Sequence, residues 1–295
     1  MNKDNRNNKS LKDPEASSKA YFSGAYIPWE KSKDEVWDDL LVRLQKEGQK
    51  QGDDRRFLPG WRWLAAAASL TLLLAVTGYM RFHLRECYCP AGQHTSLELP
   101  DGSLVELNAE TSIRYHPFWW FKSREVQLQG EAFFNVKPGK KFNVVSSMAS
   151  TEVKGTTFNI FSRDLQYRVI CLSGLVQITS ARTRDQIILA PNECANLNTS
   201  GVFDISPLNE EQSAPGWMNK LIMFSSAPLK LVVDEIERQY GIEIELPPGM
   251  NQLYSGNLSL NQPVNNVLYL LCRPFDLDYE QKTGKKFIIH PALKE

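Results

Sequence analysis

A chain of 295 residues, 42% hydrophobic and 11% aromatic, is long enough for two or three folded units and too apolar to be disordered throughout. Its 34 basic and 34 acidic residues cancel, so no global field holds nucleic acid, and no local basic stripe replaces one. Five cysteines form no CxxC pair and the four histidines, His83, His94, His116 and His290, are scattered, which leaves no zinc-ligand spacing.

Residues 1–20 are polar and rich in Asn, Lys and Ser, a composition that buries too little surface to offset chain entropy, and they read as a disordered tail. Residues 21–50 read as an aromatic leader and one short amphipathic helix. Ser32 and Glu35 have capping-box spacing, and Val36, Trp37, Leu40, Leu41 and Leu44 recur at three- and four-residue steps. A short helix without a partner is marginal in water, so the stripe of Trp37, Leu40, Leu41 and Leu44 is expected to dock on a protein, or else on the membrane or a second copy. The acidic cluster Asp34, Glu35, Asp38 and Asp39 disfavours an anionic leaflet and favours a basic protein surface. Gly48, Gly52, Pro59 and Gly60 mark a linker, bounded at 51–62.

Residues 63–80, WLAAAASLTLLLAVTGYM, carry no charge and as a helix span about 27 Å, enough for a bilayer core. Trp61, Trp63 and Tyr79 sit where amphipathic rings prefer the interface, and Arg62, Arg81 and Arg85 can snorkel to headgroups. A buried core helix rarely runs this long without a polar face, and a cleaved signal peptide would not lie so far into the chain or lack a small-residue cleavage site. Lys46, Lys50, Arg55, Arg56 and Arg62 precede the span, against Arg81 and Arg85 after it, so the N-terminal side is expected in the cytoplasm and the larger C-terminal side in the opposite compartment, the periplasm of a Gram-negative cell.

Residues 93–200 change to a two-residue period with turns at Pro100-Asp101-Gly102 and Asn108-Ala109-Glu110, and many short strands indicate a sandwich, barrel or irregular solenoid. Over 217–291 the period changes again. A strand, a helix opening at Pro228, a second strand after Gly241, another strand, a helix opening at Pro263 and a hairpin about Thr283-Gly284 predict a small α+β unit of βαβ-βαββ order. No nucleophile elbow, P-loop, GxGxxG or HExxH is present, so no catalytic residue, metal or cofactor is assigned and an enzyme is not expected. Cys87 and Cys89 could pair or react, whereas Cys171, Cys194 and Cys272 read as small core hydrophobes.

Three β segments carry a resemblance. LELPDGSLVELNAETSIRYH, REVQLQGEAFFNVKP with KFNVVS, and VKGTTFNIF with VICLSGLVQI follow the pattern L-x-D-G-x-x-V-x-L-N-x-x-S/T, V-x-L-x-G-E-A-x-F-x-V, G-T-x-F-x-V and Gly-x-V. In order and spacing they resemble the FecR family of membrane-anchored sigma-factor regulators, with Asp101, Gly102, Gly130, Glu131, Gly155, Thr156, Phe158 and Gly174 at the motif positions. Gly102, Gly130, Gly155 and Gly174 read as turn or bulge positions, which makes the motif scaffold. The C-terminal segment is similar to the small domain that often follows FecR regions and to the signalling and secretin domains of outer-membrane transducers.

The resemblance implies a single-pass inner-membrane anti-sigma factor. Its short cytoplasmic helix would hold an extracytoplasmic-function sigma factor, and its all-β FecR domain, a sandwich or irregular solenoid, and α+β unit would read the signalling domain of a TonB-dependent outer-membrane receptor. Envelope proteases are implied partners and direct nucleic-acid binding is not. IPWEKSKDEVWDDLL stands where the best-studied members carry a longer multi-helix sigma-binding domain. The strand edge Tyr254–Leu258, with Tyr254, Gly256 and Leu258, is the expected receptor contact through main-chain pairing. The rival reading is a periplasmic assembly scaffold for a secretin-like channel.

Overall fold

The structure, a computed structural model, describes residues 30–50, 59–208 and 215–292. The expected tail over 1–20, the aromatic leader and residues 51–58 of the linker lie outside the described residues.

Helix α1 (Lys33–Lys50) opens on the capping box. Glu35 N–H donates to Ser32 Oγ at 3.3 Å, and Ser32 N–H donates to Glu35 Oε2 at 2.9 Å, so two backbone donors that the first turn cannot satisfy are paired. The helix runs through Gly48, one of the residues that marked the linker in the sequence. Glycine costs about 1 kcal/mol against alanine in a helix but removes no hydrogen bond, and the good helix formers around it carry the turn onward.

Helix α2 (Pro59–Phe82) is longer at both ends than the expected span over 63–80. It takes the last four residues of the expected 51–62 linker because Pro59 is suited to the first helical position, where its missing N–H leaves nothing unpaired. None of its apolar stretch is buried against protein. Ser69 Oγ donates to Ala66 O and Thr77 Oγ1 to Leu73 O, which satisfies both hydroxyls within the helix.

From Arg85 to Pro207 the chain is β, broken by one 3-10 turn (Pro117–Trp119), in two sheets that share one strand. The first sheet runs β1 (Arg85–Cys89), β4 (Thr111–Tyr115), β5 (Arg124–Asn135), β6 (Phe142–Val145), β7 (Ala149–Val153), β10 (Val176–Ser180) and β11 (Gln186–Leu189). The second runs β2 (Thr95–Glu98), β3 (Leu104–Leu107), β5 again, β8 (Thr157–Arg163), β9 (Gln166–Ser173), β12 (Glu193–Leu197) and β13 (Phe203–Pro207). Residues 126–129 of β5 pair with β4, and its next residues pair with β8, so the strand changes sheets at Gly130. There φ is +116°, and a Cβ would lie 2.6 to 2.9 Å from Thr111, so only glycine lets β5 cross behind β4. Alternate residues of both sheets fill one core, in which Phe134 stacks on Phe158 at 5.0 Å.

Two strands extend past the expected bounds of 93–200. β1 buries Cys89 and half-buries Cys87 in a short run whose other positions are charged or aromatic, too brief for alternation to announce it. β13 closes the edge beside β12 with a single buried side chain, Phe203. All five thiols are free.

The C-terminal residues build a second core. β14 (Leu221–Pro228) pairs antiparallel with β16 (Leu253–Ser259), and β15 (Glu243–Glu245), β18 (Lys286–Pro291) and β17 (Leu277–Gln281) form a separate three-stranded sheet in that order. Helix α3 (Leu229–Tyr240) buries Leu229, Val232, Val233 and Ile236, and helix α4 (Val264–Cys272) buries Val267, Leu268, Leu271 and Cys272. Gly241 ends α3 in the left-handed conformation.

Candidate functional site

The α1 stripe is uncovered: Trp37 is 55% exposed and Leu41 53%, with Leu40 and Leu44 also on the surface. Large apolar side chains thus lie in a row along one face of the capped helix, uncovered by the described residues. At the other expected contact, Tyr254 and Leu258 point into the C-terminal core and Gly256 lies against the Tyr254 ring. Those side chains are therefore unavailable to a partner, and what β16 has to offer is the backbone of the side away from β14, with Leu253, Ser255 and Asn257 exposed.

The motif residues divide into two places. Asp101 and Gly102 form the β2–β3 turn, where Gly102 takes φ +77° and its N–H donates to Leu99 O at 2.8 Å. Asp101 accepts from the Ser103 amide at 3.0 Å and from Arg124 Nε at 2.6 Å, with Arg124 Nη2 also on the same oxygen. Arg124 spends its remaining donors on the carbonyls of Lys137 and Lys140. Burial pushes the Asp101 carboxyl up, but the Ser103 amide and Arg124 outweigh it and leave the group below its ordinary range. Gly155 and Gly174 pack as neighbouring turns beside Thr156, whose hydroxyl donates to Leu175 O at 3.1 Å, and Phe158 sits in the core. These are scaffold contacts.

Glu131 is different. It follows the sheet-changing Gly130, and its two carboxylate oxygens accept from Asn108 Nδ2 and Asn159 Nδ2, each at 2.8 Å. Beside it Arg163 Nη2 donates to Ala109 O at 2.6 Å and to Thr111 Oγ1 at 3.0 Å. Onto this patch of the β domain comes helix α3. Gln239 Nε2 donates to Asn108 Oδ1 at 2.8 Å and to Glu235 Oε1 at 2.7 Å, while Gln239 Oε1 meets His94 Nε2 at 3.1 Å. Arg238 reaches Glu110 at 3.3 Å and Asp164 at 3.7 Å and is closed on its own helix by Glu235. The Gly92 amide donates to Arg238 O at 2.8 Å, and the His94 ring meets Trp217 edge-on at 5.1 Å.

The electrostatics of this seam follow from burial. Burial, with the Glu235 charge adding to it, pushes the Glu131 carboxyl above its usual range against the opposing pull of its two amide partners. Burial and the nearby Arg238 lower Arg163, whereas Glu235, Glu110 and Asp164 more than offset burial at Arg238 and raise it. A cavity of about 470 Å³ opens beside the cluster, between β9 and β14, with Trp217, Phe224 and Leu231 on its walls.

Sequence reasoning reached Glu131 but not Arg163, Asn159, Glu235, Arg238 or Gln239. In the alternation of β5 and β8 both Glu131 and Asn159 occupy the outward phase, and neither strand announces that they pair with each other near Glu235 of α3. Nothing at the seam pairs a nucleophile with a base, and among the described residues no group of three metal-binding side chains occurs. Its chemistry is that of a polar latch between two folded parts.

The comparisons with known proteins agree with the motif. The family model described as FecR protein matches residues 87–177, and the model described as FecR, C-terminal matches 221–289. Two crystal structures of a candidate anti-sigma factor from Parabacteroides distasonis, at 1.65 and 2.50 Å resolution, are similar at 26% identity with TM-scores of 0.62 and 0.63. The matches cover 71% and 72% of this chain and the whole of the solved chains. The search of curated proteins gives no match.

Proposed function

This chain belongs to the FecR family, and we propose that it is a single-pass inner-membrane anti-sigma regulator of an extracytoplasmic-function sigma factor. The family and the anti-sigma assignment of the similar solved structures support a sigma-directed signalling role. The observation that carries the finer reading is the capped, acidic α1 with Trp37, Leu40, Leu41 and Leu44 laid open along it. Such a helix offers an apolar stripe to a groove and carboxylates to a basic rim, the pattern of helix-in-groove recognition.

On the other side of the membrane, the β domain and the C-terminal unit receive the signal from the signalling domain of a TonB-dependent receptor, through the free backbone edge of β16. One helix between compartments transmits most readily by being cut, and Thr77 and Gly78 near its periplasmic end lower the helix propensity that an intramembrane protease must overcome.

Purification of the full chain from its own membranes tests the reading. An extracytoplasmic-function sigma factor co-purifies, and Trp37→Asp with Leu41→Asp removes it while the chain stays in the membrane. An assembly ATPase or platform protein in its place, or no sigma factor at all, contradicts the proposal.

A further inference from the structure

The chain leaves α2 at Phe82, enters β1 three residues later, and returns along β4, which pairs with β1 from Arg85 opposite Tyr115. The register brings the next segment, His116 to Lys122, back to the end of α2. His116 Nδ1 lies 3.1 Å from His83 O, the Phe118 ring centroid is 5.5 Å from His83 and 6.4 Å from Tyr79, and Arg81 stands over Trp119 at 5.5 Å. The sequence of this turn is Pro-Phe-Trp-Trp-Phe-Lys.

One ring of the turn points inward: Trp120 is buried against Tyr115 and Phe142 and anchors the turn to the β core. The others point out. Phe118 is 44% exposed and Phe121 69%, and Trp119 lies at 5.5 Å from Phe121 with Lys122 over its face. Of four large aromatic side chains in sequence, Phe118 and Phe121 are exposed and Trp119 is half-buried, which forms a patch that water does not favour.

Its level is fixed by the helix. Phe118 contacts Tyr79 and His83, one turn apart at the end of the apolar span, where tyrosine and tryptophan prefer the boundary between acyl chains and headgroups. Around Phe121 is a recess of about 280 Å³ lined by Lys122, Lys137, Lys140 and Lys141. Lys141 is tied to Glu152, and the acidic and basic residues deeper in the recess, Asp101 and Arg124, neutralise each other. Lys122, Lys137 and Lys140 make no ion pair among the described residues, which leaves net positive charge beside the aromatic rings.

We propose that the turn Pro117–Phe121 with Lys122, Lys137 and Lys140 is a lipid-binding foot, which seats the β domain on the leaflet from which α2 emerges. The rings enter the headgroup boundary and the lysines meet the phosphates of anionic phospholipids. A domain held at two points, by its helix and by this foot, has a fixed orientation to the membrane, so a pull on the C-terminal unit is borne by the junction at His83. The inference rests on α2 spanning a bilayer, and its test separates the two.

The full chain, carrying the photoreactive residue p-benzoylphenylalanine in place of Phe121, Leu72 or Leu165, is reconstituted into vesicles of phosphatidylethanolamine and phosphatidylglycerol in equal parts and irradiated. Lipid adducts are expected at positions 72 and 121, and at Leu165, an exposed residue of the β8–β9 turn outside the patch, the yield is expected to be about fivefold lower than at 121. Adducts at 72 without adducts at 121, or equal yields at 121 and 165, overturn the foot and leave the span standing. No adduct at 72 overturns the span itself. Lys122→Glu with Lys140→Glu is expected to lower the yield at 121 about threefold in these vesicles and not in phosphatidylcholine vesicles. An unchanged yield in the anionic vesicles overturns the headgroup contact.

Discussion

Asn108 and Gln239, 131 positions apart, are joined side chain to side chain at 2.8 Å, and each is also tied into its own domain. Asn108 holds the Glu131 carboxylate through its other end and Gln239 holds Glu235. A residue of the family motif is thus part of the seam between the β domain and the C-terminal unit, as well as of a turn. Removing the link is expected to separate the two units without unfolding either, because their hydrophobic cores are distinct.

Arg238→Ala leaves Glu110, Asp164 and Glu235 without their cation. Glu110 and Asp164 are largely exposed and recover water, so the cost falls mainly on Glu235 and is expected at about 2 kcal/mol. Hydrogen exchange should speed up at the Asn108–Glu110 turn and in α3 while the β5 amides stay protected. Unchanged exchange at the turn would show that the seam does not hold the units together.

The turn at Asp101 is held by a buried pair, with the Arg124 side chain 9% and the Asp101 side chain 16% exposed. Asp101→Ala strands the guanidinium and is expected to cost about 3 to 5 kcal/mol. The Asp101 carboxyl titrates below its ordinary value in the fold, so its contribution is complete above that value and is lost as pH falls through the lowered one. Denaturant midpoints should decline in strongly acidic solution for the native chain, and Asp101→Asn should flatten that decline.

Glu131 has the opposite sign. Its carboxyl titrates above the ordinary value in the fold, so its contribution is complete below that value and is lost as pH rises through the raised one. Glu131→Gln removes the proton equilibrium and keeps an acceptor for Asn108, so its stability should fall less over that interval than the native chain's. Parallel pH–stability curves for the two proteins would refute the assignment.

Gly130→Ala places a methyl group 2.6 Å from Thr111 Oγ1 and 2.8 Å from Thr111 Cα at a φ of +116°. Backbone must move on one strand or the other, and the expected loss is about 3 kcal/mol or more. Thermal melting of the purified chain reads it directly. Gly78→Ala, by contrast, has open space around its added methyl in a helix outside both cores and should leave the melting of the β domain unchanged.

Much of the local structure was legible in the residues. The capping box at Ser32 and Glu35, the strand alternation from Thr95 onward, and the helices opening after Pro228 and Pro263 follow from short-range rules. What was not legible is pairing. The run Arg124–Asn135 reads as one strand, and only its partners reveal that it serves two sheets. Glu131 and Asn159 read as outward residues because their pairing joins two strands, and Glu235, the α3 charge near Glu131, lies about a hundred residues further on. Helix α1 passed Gly48 because a weak propensity does not by itself end a helix.

Sidedness of α2 is the point on which the proposed sigma-binding and receptor-binding roles both depend. Alkaline phosphatase and green fluorescent protein, fused in turn behind Glu295 in a Gram-negative host, measure it most directly. An active phosphatase, a dark fluorescent protein, and a chain that sediments with the membranes are expected. A fluorescent fusion with inactive phosphatase, or a chain that remains in the supernatant, would contradict it.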